Sequence, residues 1–262
     1  MRVTLLGTGT STGVPMIGCQ CRVCRSRDPR DKRLRVSVLI EHEERNILID
    51  TSADFRQQML SHNVTHLEAV LYTHSHNDHI VGFDDIRAFQ FLRRKAPTCY
   101  ADVATAAHIR RTFDYAFGAA TQTGGGLPQV PIELIDERPF DLFGLHVIPV
   151  PLIHGNLSIL GFRIGGFAYL TDCSKIPEAS FPLLDGLDTL ILDGLRPKPH
   201  PTHFSISEAV LVAERIAPRI TYLTHMNHDV LHEQTERDLP AHVRLAYDGL
   251  CFDCLSTSDT QA

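Results

Sequence analysis

Apolar residues fall in short runs whose period changes along the chain. Val3–Leu6, Val36–Ile40 and Ile47–Ile49 are brief apolar or alternating segments and predict strands. Asp54–His62 has helical spacing. Ala69–Tyr72 predicts a buried strand that runs directly into Thr73-His74-Ser75-His76. Ile80–Arg94 predicts a helix with Ile86, Phe89 and Phe91 or Leu92 turned inward, followed by a strand near Thr98–Ala101 and a helix near Ala104–Tyr115. Further strands are predicted at Leu145–Val150, Ser158–Ile164, Ala168–Thr171, Thr189–Leu192, Ile220–Leu223 and Leu250–Asp253. A helix is predicted over about Ser205–Ala217: Ser205 and Glu208 make a capping box at its start, and Pro218 ends it. Strands and helices alternate, so the class is α/β, a sandwich of sheets between helix layers.

The segments between these elements add three expectations. Gly7-Thr8-Gly9-Thr10-Ser11-Thr12-Gly13 is a turn-rich loop, and no Gly-Lys-Ser/Thr follows to make it a phosphate loop of the Walker kind. Residues 118–131, rich in Gly, Thr and Gln, read as a connector, with a substrate lid as the alternative. No repeat or linker divides the chain, which predicts one domain over 1–255 and a frayed small-residue tail over 256–262. The opening MRVTLLGTGTS reads as a strand and turn rather than a signal peptide, and no apolar run is long enough to span a bilayer. The expectation is a cytoplasmic protein with no membrane partner.

Composition narrows the chemistry. The net charge of −6 argues against general nucleic-acid binding. A small anionic substrate remains compatible, because bound cations reverse the local sign. Seven cysteines, an odd number, in a chain expected in a reducing compartment point to metal where they cluster.

The densest cluster is His74-Ser75-His76-Asn77-Asp78-His79, at the end of the Ala69–Tyr72 strand. His74 and His76 are two apart and share a direction on extended chain; a turn brings His76 and His79 together. Imidazoles and carboxylates at this density suit Zn, Mn or Fe. Three single residues close later strands: His154 before Gly155, Asp172 after Phe167-Ala168-Tyr169-Leu170, and His225 after Thr221-Tyr222-Leu223-Thr224. Alone, each reads as an ordinary loop or core residue. Cys19-Gln20-Cys21-Arg22-Val23-Cys24 supplies three thiolates for a closed structural zinc site that needs one more ligand. His228 is the leading candidate and Cys251 and Cys254 compete with it, whereas Cys99 and Cys173 read as core.

The HxHxDH run, followed by a later His, an Asp and a final His at strand ends, resembles the metallo-β-lactamase superfamily over Leu5 to about Asp248. The resemblance implies an αββα four-layer sandwich. It implies that His74, His76 and His154 hold one divalent ion, that Asp78, His79 and His225 hold a second, and that Asp172 bridges them. Asp50 matches an early strand-end acid that supports the metal loop through hydrogen bonds. The CxCxxC run with His228 is similar to the cyclic phosphodiesterases of the carbon–phosphorus lyase pathway, which open phosphoribosyl 1,2-cyclic phosphate. That likeness extends to His203, as general acid, with His200 a poorer fit to the position. What it implies is a hydrolase of small phosphodiesters: two divalent ions (Zn, Mn or Fe) activate water, Asp78 helps orient it, and His203 protonates the leaving oxygen, beside one structural zinc. A homodimer is expected on the same ground. The competing readings are a tRNA 3′-processing nuclease, a thioester or lactam hydrolase, and a non-hydrolytic cofactor-biosynthesis protein.

Overall fold

A computed structural model describes residues 1–118 and 126–255. Every strand expected from the apolar runs is present, most with ends moved by a residue or two. The class is the expected one, two mixed β-sheets flanked by helices. The chain forms two compact units: Ser37–Asp136 is inserted into a unit made of Met1–Val36 and Glu137–Ala262. β1 (Arg2–Gly7) opens the flanking unit.

The inserted unit carries β2 (Ser37–His42), β3 (Arg45–Ile49), α1 (Phe55–Ser61), β4 (Ala69–Leu71), α2 (Asn77–Ile80), α3 (Arg87–Arg93), β5 (Thr98–Ala101), α4 (Val103–Thr112), α5 (Asp114–Phe117) and β6 (Ile132–Leu134). β2 and β3 pair antiparallel, while β3, β4, β5 and β6 run parallel in sequence order. Ile47 to Ile49 and Ala69 to Leu71 are wholly buried, as unbroken apolar runs in parallel sheets are when both faces are covered. β3 and β4 therefore end at one edge, where Asp50 and Thr73 follow.

The single helix expected over Ile80–Arg94 is broken. α2 stops at Ile80, a 3-10 turn runs over Val81–Ile86, and α3 follows. Gly82 sits against the chain before α1, where a Cβ would lie 2.5 Å from the Ser52 carbonyl oxygen, so close approach overrides helical continuity. Ile86 and Phe89 are buried as expected. Phe91 and Leu92 are 56% and 74% exposed, because the turn changes the helical phase and α3 ends in a left-handed Arg94. The helix expected to Tyr115 likewise breaks at Phe113, which is buried against Phe83.

The flanking unit continues with β7 (Phe140–Leu142), β8 (Leu145–His154), β9 (Leu157–Ile164), β10 (Phe167–Leu170), β11 (Thr189–Asp193), α6 (Ile206–Ile216), β12 (Ile220–Thr224), α7 (His232–Arg237), β13 (Val243–Leu245) and β14 (Cys251–Asp253). β14 pairs antiparallel with β1. The other seven strands form one sheet in the order β13-β12-β11-β10-β9-β8-β7. β10 to β13 are parallel, and β9 is antiparallel to both β8 and β10. It follows that β8, β10, β11 and β12 all point the same way. β8 runs beyond its expected end at Val150 and holds two prolines. β7 pairs only with Leu145 to Val147, so Pro149 and Pro151 lie on an edge that needs no amide donor. α6 has the expected capping box: Ser205 Oγ accepts from Glu208 N, and Ser205 N donates to Glu208 Oε2 at 2.8 Å.

The short elements β6, β7, β13 and α7 had no periodic signature and were not expected. No linker marks either crossing between the two units. The tail over 256–262 and residues 119–125 of the 118–131 loop lie outside the described residues.

Candidate metal centre

In the flanking unit, four parallel strand ends carry His154 (closing β8), Asp172 (two residues past β10), Asp193 (closing β11) and His225 (just past β12). Carboxyl ends of strands are the usual ligand edge of α/β sheets. Asp172 and His225 both adopt left-handed backbone, with φ of 59° and 60°, which turns each side chain sharply off its strand. Gly155 (φ 60°) gives the same kink after His154.

These side chains, with His203 from the loop before α6, form one buried cluster. His225 Nε2 lies 3.2 Å from Asp172 Oδ1. The His203 ring stacks on His225 at 4.7 Å between centroids and stands 4.7 Å from His154. His154 Nδ1 donates to the Thr202 carbonyl at 2.7 Å, and His203 Nδ1 donates to Asp193 Oδ2 at 2.9 Å. A carbonyl or carboxylate only accepts, so each Nδ1 holds the proton and each Nε2 is turned to other work. His200 is half-buried and has no such acid: its Nδ1 accepts from Thr202 N at 3.4 Å.

The inserted unit repeats this logic. Asp50 (φ 62°) follows β3 and is fully buried. It accepts from Thr73 N and Thr73 Oγ1, each at 2.8 Å, and from His79 Nδ1 at 2.7 Å. Thr73 Oγ1, having given its proton to Asp50, accepts from His74 Nδ1 at 3.0 Å. The rings of His74 and His76 are 4.6 Å apart, those of His74 and His79 4.1 Å, and Asp78 Oδ2 lies 3.4 Å from His79 Nε2. His76 is exposed, Asp78 half-buried, and His74 and His79 buried.

Electrostatics in both units favours a bound cation. Burial is the first cause that raises the Asp193 carboxyl, with Asp172 adding to it, and burial likewise raises Asp50. Burial pushes the His154 imidazole the other way, toward its neutral, ligating form. Carboxylates and Nδ1-protonated imidazoles are the donor set that hard or borderline divalent ions take, so these residues fit such ions.

The third cluster is the cysteine loop. Cys19, Cys21, Cys24 and His228 place their donor atoms within 4.8 Å of one another. His228 Nδ1 is 3.3 Å from Cys19 Sγ and 3.5 Å from Cys21 Sγ. The Cys24 amide, then His228, draw the Cys21 thiol down to about 6, while burial pushes Cys24 up to about 11. Thiolates crowded this way fit a soft cation such as zinc. Cys251 lies elsewhere, its thiol accepting from Arg2 Nε at 2.9 Å, and Cys254 is buried at the end of the same strand pair. Cys99 and Cys173 are fully buried.

Sequence reasoning missed three contributors: Thr73, the Thr202 carbonyl and Asp193. Only Asp193 had a signal, since it closes an apolar run just as Asp50 and Asp172 do.

Residues 45–226 match the family model described as a β-lactamase superfamily domain. The chain belongs to the metallo-β-lactamase superfamily. Within it, the chain is 43% identical to a protein solved as a new diphosphatase from the PhnP family, with a TM-score of 0.91 over 98% of both chains. That agrees with the resemblance read from CxCxxC and His203. An octanoyltransferase of Porphyromonas gingivalis is 42% identical over 253 residues, which make up 95% of this chain and 51% of that protein. The chain thus spans about half the length of this curated relative. Zinc-bound PqqB from Methylobacterium extorquens shares the fold, at 21% identity and a TM-score of 0.79 over 97% of this chain and 100% of that one.

Proposed function

We propose that this chain is a hydrolase of small phosphodiesters that depends on two divalent ions. His74, His76 and His154 hold one, Asp78, His79 and His225 the other, and Asp172 serves both. The observation that carries the reading is the common setting of His74, His79, His154 and His203: in all four, Nδ1 holds its proton on an acceptor of the chain and leaves Nε2 for chemistry. When bound, such ions supply the charge that acidifies a water and neutralises phosphoryl oxygens. The chain's own residues do the rest. Asp78 accepts a hydrogen bond from the attacking water and orients it. His203 gives the proton on Nε2 to the oxygen that departs from phosphorus. Asp193, on the far side of the ring, stabilises the imidazolium before that transfer. Cys19, Cys21, Cys24 and His228 hold a structural zinc.

A second reading concerns the bond. The likeness to a PhnP-family diphosphatase favours a diphosphate linkage, which the same water and the same acid would cleave. The thiols belong in a reducing compartment, since all seven cysteines are free, and we place the chain in the cytoplasm. Among the described residues no helix is long and apolar enough to cross a membrane. A homodimer, expected from the resemblance, belongs to the same proposal and is tested by mass in solution.

The deciding experiment pairs metal analysis with a substrate panel: bis(p-nitrophenyl) phosphate, a ribose cyclic phosphate, a diphosphate-linked dinucleotide, precursor tRNA and a thioester. The expected result is about three ions per chain, from the ligand sets named, and turnover of the small phosphorus substrates. Turnover confined to the thioester, or to precursor tRNA, would sink the proposal.

A further inference from the structure

The geometry points to Arg33 as a positioning residue that fixes the strand-end ligand candidate His225 and the cysteine-loop candidate His228 through one segment of backbone. Arg33 is the largest fully buried side chain among the described residues. Its guanidinium sits 3.1 Å from Asp31 Oδ1, in an ion pair whose side chains are 0% and 1% exposed. Burying such a pair is costly, and apolar side chains of the same volume often serve stability as well or better. The guanidinium must therefore be doing something that shape alone does not.

Its donors go to the chain around His228. Nη2 donates to the Val230 carbonyl at 3.0 Å, and Nη1 reaches the Asn227 carbonyl at 3.5 Å. Asp31 completes the clamp by accepting from His232 N at 2.8 Å. Residues 227–232 are thus held at three backbone points by one buried pair. The same arginine is tied to the base of the cysteine loop: Arg33 N donates to Val14 O at 2.7 Å, and Val14 N donates back at 2.9 Å. Gly9 lies against it so tightly that a Cβ would stand 2.8 Å from Arg33 Cβ. Thr8 and Thr10, flanking Gly9, bond to both sides of Met226, the residue after His225. A change at Arg33 has direct routes to both histidines.

The test reads the two histidines separately. With cobalt in place of zinc, the thiolate-to-metal absorption band reports the cysteine loop alone, and its decay in excess chelator gives the release rate. Arg33→Met is expected to release cobalt on the order of 10–100-fold faster, the usual cost of losing a residue that orients a ligand. Its kcat on bis(p-nitrophenyl) phosphate falls by a similar factor with KM unchanged. Arg33→Lys recovers part of both, since an ammonium reaches one carbonyl where the planar fork reaches two. A purely structural arginine would lower the melting temperature and leave release and kcat at their parent values well below the melt; that result overturns the inference. If Arg33→Met does not fold, Asp31→Asn, which keeps the shape and removes the charge pair, is read by the same two measures and the same outcomes. The kcat arm rests on the proposed function: a parent enzyme that turns over no phosphorus substrate refutes that function, while the cobalt arm still decides on Arg33.

Discussion

The cysteine loop and the strand-end cluster lie in the same unit and share the backbone between His225 and His228, yet they are built on opposite plans. The loop offers three thiols, joined by His228 from beyond β12: Cys19 and Cys21 lie partly at the surface, Cys24 is buried, and the thiols lean on each other and on nearby amides. The strand-end cluster is buried, and two of its imidazoles are supported from behind: His154 by a carbonyl, His203 by Asp193. A centre whose ligands are all protein donors is closed and structural, whereas one whose imidazoles are oriented by outer partners keeps its direction for work on something else. The difference teaches that the supporting atoms, more than the donors, separate a fastening from a reaction site.

The largest effect should come from splitting the two histidines. His225→Ala is expected to abolish turnover and remove ions from the strand-end site while the cobalt–thiolate band stays. His228→Ala should lose that band first and activity only in part. Metal analysis of both variants checks this, and loss of the band in His225→Ala would erase the distinction between the centres. Next in size, His203→Asn should lower kcat by about 10²–10⁴ with metal content unchanged. The loss should shrink on substrates with a nitrophenolate leaving group, which departs without a proton. A smaller loss, on the order of 10–100-fold, is expected for Asp193→Asn, which keeps the ring's neighbour but not its charge. It should be read as kcat against pH, where a fixed KM marks a positioning effect.

The smallest effect belongs to the flank of the cysteine loop. Burial, then Arg30 and Arg33, depress His232 to about 4. Its unfolded imidazole titrates near 6.5, so the unfolded chain binds more protons between these values. Stability from this group is complete above 6.5 and is lost as pH falls toward 4. Melting temperature against pH should therefore fall less steeply in that window for His232→Gln than for the parent. Parallel curves would show that His232 carries no part of the pH dependence.

Much of the architecture was legible because its signals are local. His74 to His79 are contiguous, the thiols lie within six residues, and His154, Asp172 and His225 each end an apolar run. Parallel strands then bring such ends to one edge whatever the sequence between them. What was not legible depends on contacts far apart in the chain. Nothing near Asp193 names His203 as its partner, and nothing near Arg33 names the carbonyls of Asn227 and Val230. The helix expected over Ile80–Arg94 failed for the same reason, since Gly82 is where it is because of Ser52 and Phe55.

The left-handed turns at Asp50, Asp172 and His225 have a consequence for the history of such folds. Apart from glycine, that backbone region tolerates Asn, Asp and His far better than other residues, and β-branched ones least. Two of those three types bind metals. At these corners, then, the conformational filter and the chemical one overlap, and exchanging a donor for asparagine or glycine would leave the turn itself intact. Inert descendants that retain the architecture should be easy to reach from an active ancestor, and a return to activity would need few steps.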